Sequence, residues 1–439
     1  MEQLKFPEGF KWGSATSAHQ IEGDNHNDWT EWERANSARL ANEAARRYSN
    51  ALARIKEETS KPENYISGKA CNSYLRYEED FDIAKKLNQN IHRFSIEWSR
   101  IEPEEGKFDL EAMQHYIDVV KALCDRGIEP MVTLWHFTNP DWFAKKGGFL
   151  NKKSPEIFTR YIKYVVDNLK DRVGLWITFN EPLNVYAGLS YLRGYWPPQH
   201  KSLLDFLKVR RNMLNAHMLA YREIKKIYKN RVFNEYGQDQ LGMSHNINPL
   251  VGVVENNSHI VSGTALKALG IGRIVDYLWN LYFWRKAIPY QDFLGLNYYT
   301  ITRLPGSYGI LSKQEVAEEM NWEIYPEGIY HCLMKLKKFN KPIFITENGI
   351  ADSTDQKREK FIKDHLCWVW RAIQDGADVR GYLYWSLLDN FEWAKGFAPR
   401  FGLVEIDYKI PPAGGERKIR PSALEYAKIC KENAMQINE

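Results

Sequence analysis

Short apolar runs recur along this 439-residue chain, separated by longer segments in which apolar positions fall three and four residues apart. The runs span Phe10–Ala15, Asn90–Ile96, Pro130–His136, Leu175–Phe179, Gln240–His245, Phe293–Tyr298, Ile343–Glu347 and Gly381–Trp385. They are rich in β-branched and aromatic residues and bounded by turn formers, which predicts strands. They do not alternate apolar with polar, so both faces are buried, as in a parallel sheet covered by helices. The intervening segments, such as Tyr77–Leu87 and Met113–Leu123, predict amphipathic helices. Eight strands alternating with helices predict a (β/α)8 barrel with residues 1–439 as a single domain. An open doubly wound sheet is the alternative, since the pattern alone does not contain closure.

Two segments fit this plan less simply. Asn36 to Ser60 is rich in Ala, Arg and Glu and reads as an exposed helix on a long loop after the first strand. Glutamates interleave its arginines, so a lid or surface decoration is expected there rather than a nucleic-acid contact. Ile274 to Trp284 predicts a helix whose apolar residues nearly surround it, which must therefore be buried or bind something.

A formal net charge of +4 is small for this length and argues against nucleic acid as a main partner. The five cysteines are scattered and form no CxxC pair, which predicts reduced thiols in a cytoplasmic protein. Met1 to Pro7 lacks the apolar run of a signal peptide, and no uninterrupted apolar stretch approaches the length of a membrane span, so no membrane partner is expected.

In such a barrel the carboxyl ends of the strands face one cleft, so the residues found there are the candidates for chemistry. They are Gln20 after the first strand, Arg93 in the second, His136 at the third, Asn180 and Glu181 at the fourth, Asn297 and Tyr299 at the sixth, Glu347 at the seventh, and Trp385, Glu392 and Trp393 at and after the eighth. No phosphate loop, cysteine nucleophile or metal-ligand spacing accompanies them; His19, His136 and Glu181 lack the pattern of a metal site, and neither metal nor other cofactor is expected. Two carboxylates with aromatic platforms and amide donors suit glycoside hydrolysis, in which one carboxyl protonates the leaving oxygen and the other attacks the anomeric carbon. Beside Arg93 and Tyr299 a carboxylate stays ionised, as a nucleophile requires. Trp385 offers a face to a sugar ring, while Gln20, His136 and Glu392 can read its hydroxyls. Taken singly, each has an ordinary structural reading: Arg93 as an interior ion pair, His136 as a core histidine, Trp385 as packing. Their joint placement at strand ends is what favours chemistry.

These residues lie in motifs that resemble glycoside hydrolase family 1, the retaining β-glucosidase and β-galactosidase group, from about Phe6 to Ser422. The motifs are Phe6 to Thr16 with Gln20, Glu22 and Gly23; Arg93 to Arg100; Thr178-Phe179-Asn180-Glu181-Pro182; Ile345-Thr346-Glu347-Asn348-Gly349; and Trp385 to Trp393 with Arg400-Phe401-Gly402. The resemblance implies Glu181 as acid/base and Glu347 as nucleophile. It implies sugar contacts from Gln20, His136, Asn180, Trp385, Glu392, Trp393 and Phe401, with Arg93, Asn297 and Tyr299 as support. Family members that act on 6-phosphosugars replace the glutamate at the Glu392 position, so a plain β-glucoside is the expected substrate, with β-galactosides and β-fucosides beside it. A 6-phospho-β-glycosidase and a non-catalytic sugar-binding barrel are the alternatives. From Asn248 to Asp292 the chain resembles the family poorly and is short before the sixth strand. A thinned wall there leaves Tyr277, Trp279, Tyr282 and Trp284 uncovered for a flat apolar ligand or a subunit contact, unless the helix packs on the barrel in compensation.

Overall fold

The computed structural model describes residues 2–48, 52–230, 248–307, 315–317, 319–408 and 414–437. Eight parallel strands close into a barrel in chain order: β1 (Lys11–Ala15), β2 (Ile91–Ser95), β3 (Glu129–Thr133), β4 (Leu175–Asn180), β5 (Leu250–Asn256), β6 (Phe293–Asn297), β7 (Ile343–Asn348) and β8 (Val379–Trp385). β8 returns to β1, with Gly381 to Trp385 lying against Lys11 to Ala15. That pairing excludes the open sheet.

Side-chain alternation explains why the strands read as continuously apolar. Ile91, Met131, Leu175, Ile177, Val254, Phe293, Phe344 and Leu383 fill the lumen. Their neighbours, among them Val132, Trp176, Val253, Leu294 and Ile345, point outward into the larger core beneath the helices. At Gly349, just past β7, a Cβ would come within 1.8 Å of the Trp385 carbonyl oxygen, so glycine lets the ends of β7 and β8 pass closely.

Seven expected strands coincide with barrel strands to within a few residues. The third ends at Thr133, which leaves His136 in the following loop rather than at a strand end. The expected strand at Gln240–His245 lies outside the described residues. The barrel's fifth strand is instead Leu250–Asn256, bonded to β4 on one side and β6 on the other. Its apolar run from Leu250 to Val254 ends in Glu255 and Asn256, the same composition as the other strand ends.

Around the barrel lie α1 (Asp28–Arg47), α2 (Ser73–Lys86), α3 (Leu110–Asp125), α4 (Ser154–Leu169), α5 (Leu203–Lys229), α6 (Glu327–Leu336), α7 (Arg358–Gln374) and α8 (Pro421–Glu432). α4 shows their logic: Phe158, Tyr161, Ile162, Val165, Val166 and Leu169 form one buried stripe. Each such side chain contributes about 1.5–3 kcal/mol on leaving water. The helix expected from Asn36 begins earlier, because Asn27 accepts from the Trp29 and Thr30 amides and Thr30 returns the bond in a capping box. It is also less exposed than expected. Trp29, Trp32, Leu40, Ala41 and Ala44 bury one side, while Arg34–Glu31 and Arg39–Glu43 pairs occupy the other.

The Ile274–Trp284 segment is helical from Ile271 to Ala287, with one widened turn over Tyr277–Leu281. Asn280, Phe283, Trp284 and Ala287 are buried, Tyr277, Trp279 and Tyr282 are half-buried, and Ile271, Ile274 and Leu278 are exposed. Asn280 fixes the inner side through a reciprocal pair with the Ser258 backbone at 2.8 and 3.0 Å. At the other end of the barrel, ahead of β1, Glu2–Lys5 pairs antiparallel with Ala434–Ile437.

Candidate active site

Glu181 is the first residue past β4 and sits in the left-handed region at φ +43°. Its own N–H bonds the Val254 carbonyl at 2.8 Å, tying the turn to β5. Its Oε1 accepts from Asn297 Nδ2 at 2.6 Å and from Asn256 Nδ2 at 3.2 Å. Glu347, the last but one residue of β7, is held differently. Arg93 donates to its Oε1 at 2.5 Å and the Tyr299 hydroxyl to its Oε2 at 2.6 Å. The two carboxylates share one scaffold, because Arg93 also donates to Asn180 Oδ1 at 2.7 Å and Asn297 donates to that oxygen at 3.2 Å. Arg93 is fully buried, and its Nε bonds Thr133 Oγ1 at 3.0 Å, so its fork cannot rotate away.

A cavity of about 820 Å³ opens at these strand ends. Gln20, His136, Asn180, Glu181, Tyr299, Glu347, Trp385, Glu392, Trp393 and Phe401 all line it. Arg93 and Asn297, the remaining expected residues, stand behind the carboxylates and act on them rather than on the space. Gln20 donates to the Phe391 carbonyl at 2.8 Å and to Glu392 Oε2 at 3.3 Å, which brings the first and eighth strand ends together. Asn180 Nδ2 lies 3.1 Å from His136 Nε2. The His136 ring lies nearly parallel to those of Trp385 and Trp393, with centroids at 6.0 Å in each case, and His19 stacks on Trp393 at 5.5 Å. Phe401 packs edge-on to Tyr299 at 6.2 Å and so braces the hydroxyl that serves Glu347.

Burial separates the ionisation of these groups. It pushes Glu181 up to about 8, with Glu347 adding repulsion and the amides of Asn297 and Asn256 opposing. Glu392 rises to about 7 through burial, opposed by Asn390. Burial holds His136 well below its usual range, helped by the charge of Arg93, so the ring is neutral. A neutral ring with Nε2 accepting from Asn180 carries its proton on Nδ1, which is buried and has no partner among the described residues.

Several cavity residues escaped the sequence reading. Asn256 touches Glu181, Met320 and Trp322 form a wall beside Phe401, and Leu40 with Arg39 brings α1 to the mouth. Asn256 was detectable as the polar end of the apolar run Leu250–Val254. The others sit on loops and an added helix, where no periodicity marks them.

The chain matches the family model of Glycosyl hydrolase family 1 over residues 2–268 and 289–435. The chain belongs to that family. The unmatched residues, 269–288, are nearly the half-exposed helical segment, a narrower departure than Asn248 to Asp292. Beta-glucosidase A of Thermotoga maritima is 32% identical over 475 residues, spanning 99% of this chain and all of that protein. The structure of a β-glycosidase from Pyrococcus horikoshii superposes with a TM-score of 0.81 at 37% identity, covering 99% and 97% of the two chains. A structure of the Thermotoga maritima β-glucosidase in complex with deoxynojirimycin gives 0.78 at 29%, covering 99% and 100%. Like these family 1 proteins, this chain is a glycoside hydrolase.

Proposed function

We propose that this family 1 enzyme hydrolyses terminal unphosphorylated β-D-glucosides, with β-galactosides and β-fucosides as further substrates. Glu347 attacks the anomeric carbon while Glu181 gives its proton to the leaving oxygen. Water then hydrolyses the covalent glycosyl-enzyme, with Glu181 taking the water's proton back. Gln20, His136, Asn180 and Glu392 read the hydroxyls, and Trp385, Trp393 and Phe401 enclose the ring.

The observation that carries this reading is the contrast between two carboxyls on one scaffold. Glu347 is paired with a buried guanidinium, whereas Glu181 has only amide donors and is kept protonated to about pH 8. Glu392 supports a plain sugar, because a carboxyl beside Gln20 offers a phosphate no positive charge, and repels it whenever the carboxyl is ionised. The Glu347→Ala variant should lose turnover of an aryl β-glucoside while still binding the product sugar; activity within tenfold of the parent would remove Glu347 from its role. Faster turnover of phosphorylated than of plain cellobiose would favour the phosphoglycosidase.

The five free thiols support a reducing, cytoplasmic setting for the enzyme. The described residues include no helix long and apolar enough to cross a membrane. Exposed Ile271, Ile274 and Leu278 support a contact surface for a flat apolar ligand or a second subunit beside Tyr277–Trp284.

A further inference from the structure

The helical turn that begins at Pro182 has an unusual start. A helix leaves its first amides without partners, and the residue in front normally supplies a side-chain acceptor. Here that residue is Glu181, whose carboxyl points to Asn297 and Asn256 and makes no cap. The acceptor comes from another strand. Glu255 of β5 points away from the lumen, is buried, and takes the Leu183 N–H on Oε1 at 3.1 Å; the Asn184 amide also bears on it. Its neighbours on the same strand hold Glu181 directly: Val254 through the Glu181 N–H and Asn256 through the carboxyl. Three consecutive residues of β5 thus grip one turn whose central residue is in the left-handed backbone region, which non-glycine residues rarely adopt.

We infer that Glu255 is a positioning residue for the acid/base, capping from β5 the helix that Glu181 begins and keeping the Glu181 carboxyl aimed into the cleft. The inference rests on Glu181 being the acid/base. The second oxygen of Glu255 is buried and has no hydrogen-bond partner among the described residues, so the Leu183 amide is the contact that orients the carboxyl. Charged and titratable groups bear on it from two sides. Arg210 of α5, itself stacked on Tyr282 at 4.6 Å, favours its ionised form, and Glu181 lies on the other side; the capped helix offers only backbone amides. Burial raises Glu255 to about 8, so it is mostly protonated at neutral pH, and its charge raises Glu181 only over the basic range in which both titrate. Glu255 therefore acts on Glu181 in two ways: by geometry through Leu183 and by charge through space.

The experiment separates these from fold support. kcat/KM is measured against pH for Glu255→Gln and Glu255→Leu, on two aryl β-glucosides with good and poor leaving groups, with Glu181→Ala as reference. Glu255→Leu, which suits the apolar layer but removes the cap, should lose about tenfold on the poor leaving group and little on the good one, part of the ~10²–10⁴ a placed acid supplies. Glu255→Gln keeps an acceptor for Leu183 and should restore most of that rate, while its basic limb moves to lower pH because Glu181 has lost a neighbouring negative charge. Parental leaving-group dependence and an unmoved basic limb in both variants, with only a lower thermal midpoint, would overturn the inference. If Glu181→Ala harms both substrates equally, the acid/base assignment itself fails.

Discussion

Glu181 is held by amides and by burial, and a carboxyl held in this way stays protonated where an exposed one would not. Its ordinary value of 4.5 rises to about 8, and that of Glu392 to about 7. These folded values lie above the unfolded ones, so the native state binds protons that the unfolded chain has released. The stability they contribute is complete below about pH 4.5 and is lost as pH rises through 7 to 8. Glu181→Gln should therefore unfold at higher denaturant than the parent at pH 8, by about 1 kcal/mol or more, with the gap narrowing at pH 5. The same variant should lose the basic limb of the rate profile. A gap that widens toward acid would contradict the burial argument. The twelve expected residues gather at one cavity, ten lining it and Arg93 and Asn297 behind the carboxylates, because motif and strand end coincided. Asn256 and Glu255 were not expected, because their strand was placed at Gln240–His245 and the acid and amide that end Leu250–Val254 went unread.

Elements divide by how much of their surface the barrel determines. Seven strands could be located from sequence because both faces are buried and their runs are apolar throughout. Helix α1 was half legible: its arginine and glutamate pairs showed an outer face, while the Trp29, Trp32, Leu40 stripe that seats it over the cleft fell partly before the expected start. The Ile271–Ala287 segment reads as apolar all round, yet its burial is one-sided, because helical spacing shows where apolar residues stand and not what covers them. Its two faces should respond oppositely. Trp284→Ala removes a buried ring and the weak bond of its Nε1 to Asn257 at 3.4 Å, and should cost about 3–5 kcal/mol. Ile274→Lys with Leu278→Lys should leave unfolding unchanged within about 0.5 kcal/mol. Calorimetry of the two variants checks both, and a large loss from the lysine pair would mean that the outer face is covered.

At the scale of the molecule, the barrel is held at its amino-terminal side by a clasp between distant parts of the chain. Asn433, in the left-handed region, donates to the Phe6 and Pro7 carbonyls at 3.0 Å each, and its Oδ1 accepts from Trp12 Nε1 at 2.9 Å. The Phe6 N–H returns to the Asn433 carbonyl at 3.0 Å. Asn433→Ala should lower the thermal midpoint, by an amount corresponding to about 1–3 kcal/mol for the groups left unpaired, with kcat at ambient temperature unchanged. A fall in kcat would show that the clasp reaches the cleft. Closure of this kind was invisible in the sequence, since the paired stretches lie more than 400 residues apart.

That clasp also sets how the enzyme can be mounted. The first and last described strands leave the barrel together, on the face away from the cavity. A tether or fused protein attached beside either strand would hang below the barrel, and the cavity lined by Leu40 and Trp322 would still face the solution. Immobilised on a support through that face, the enzyme would keep its substrate path open.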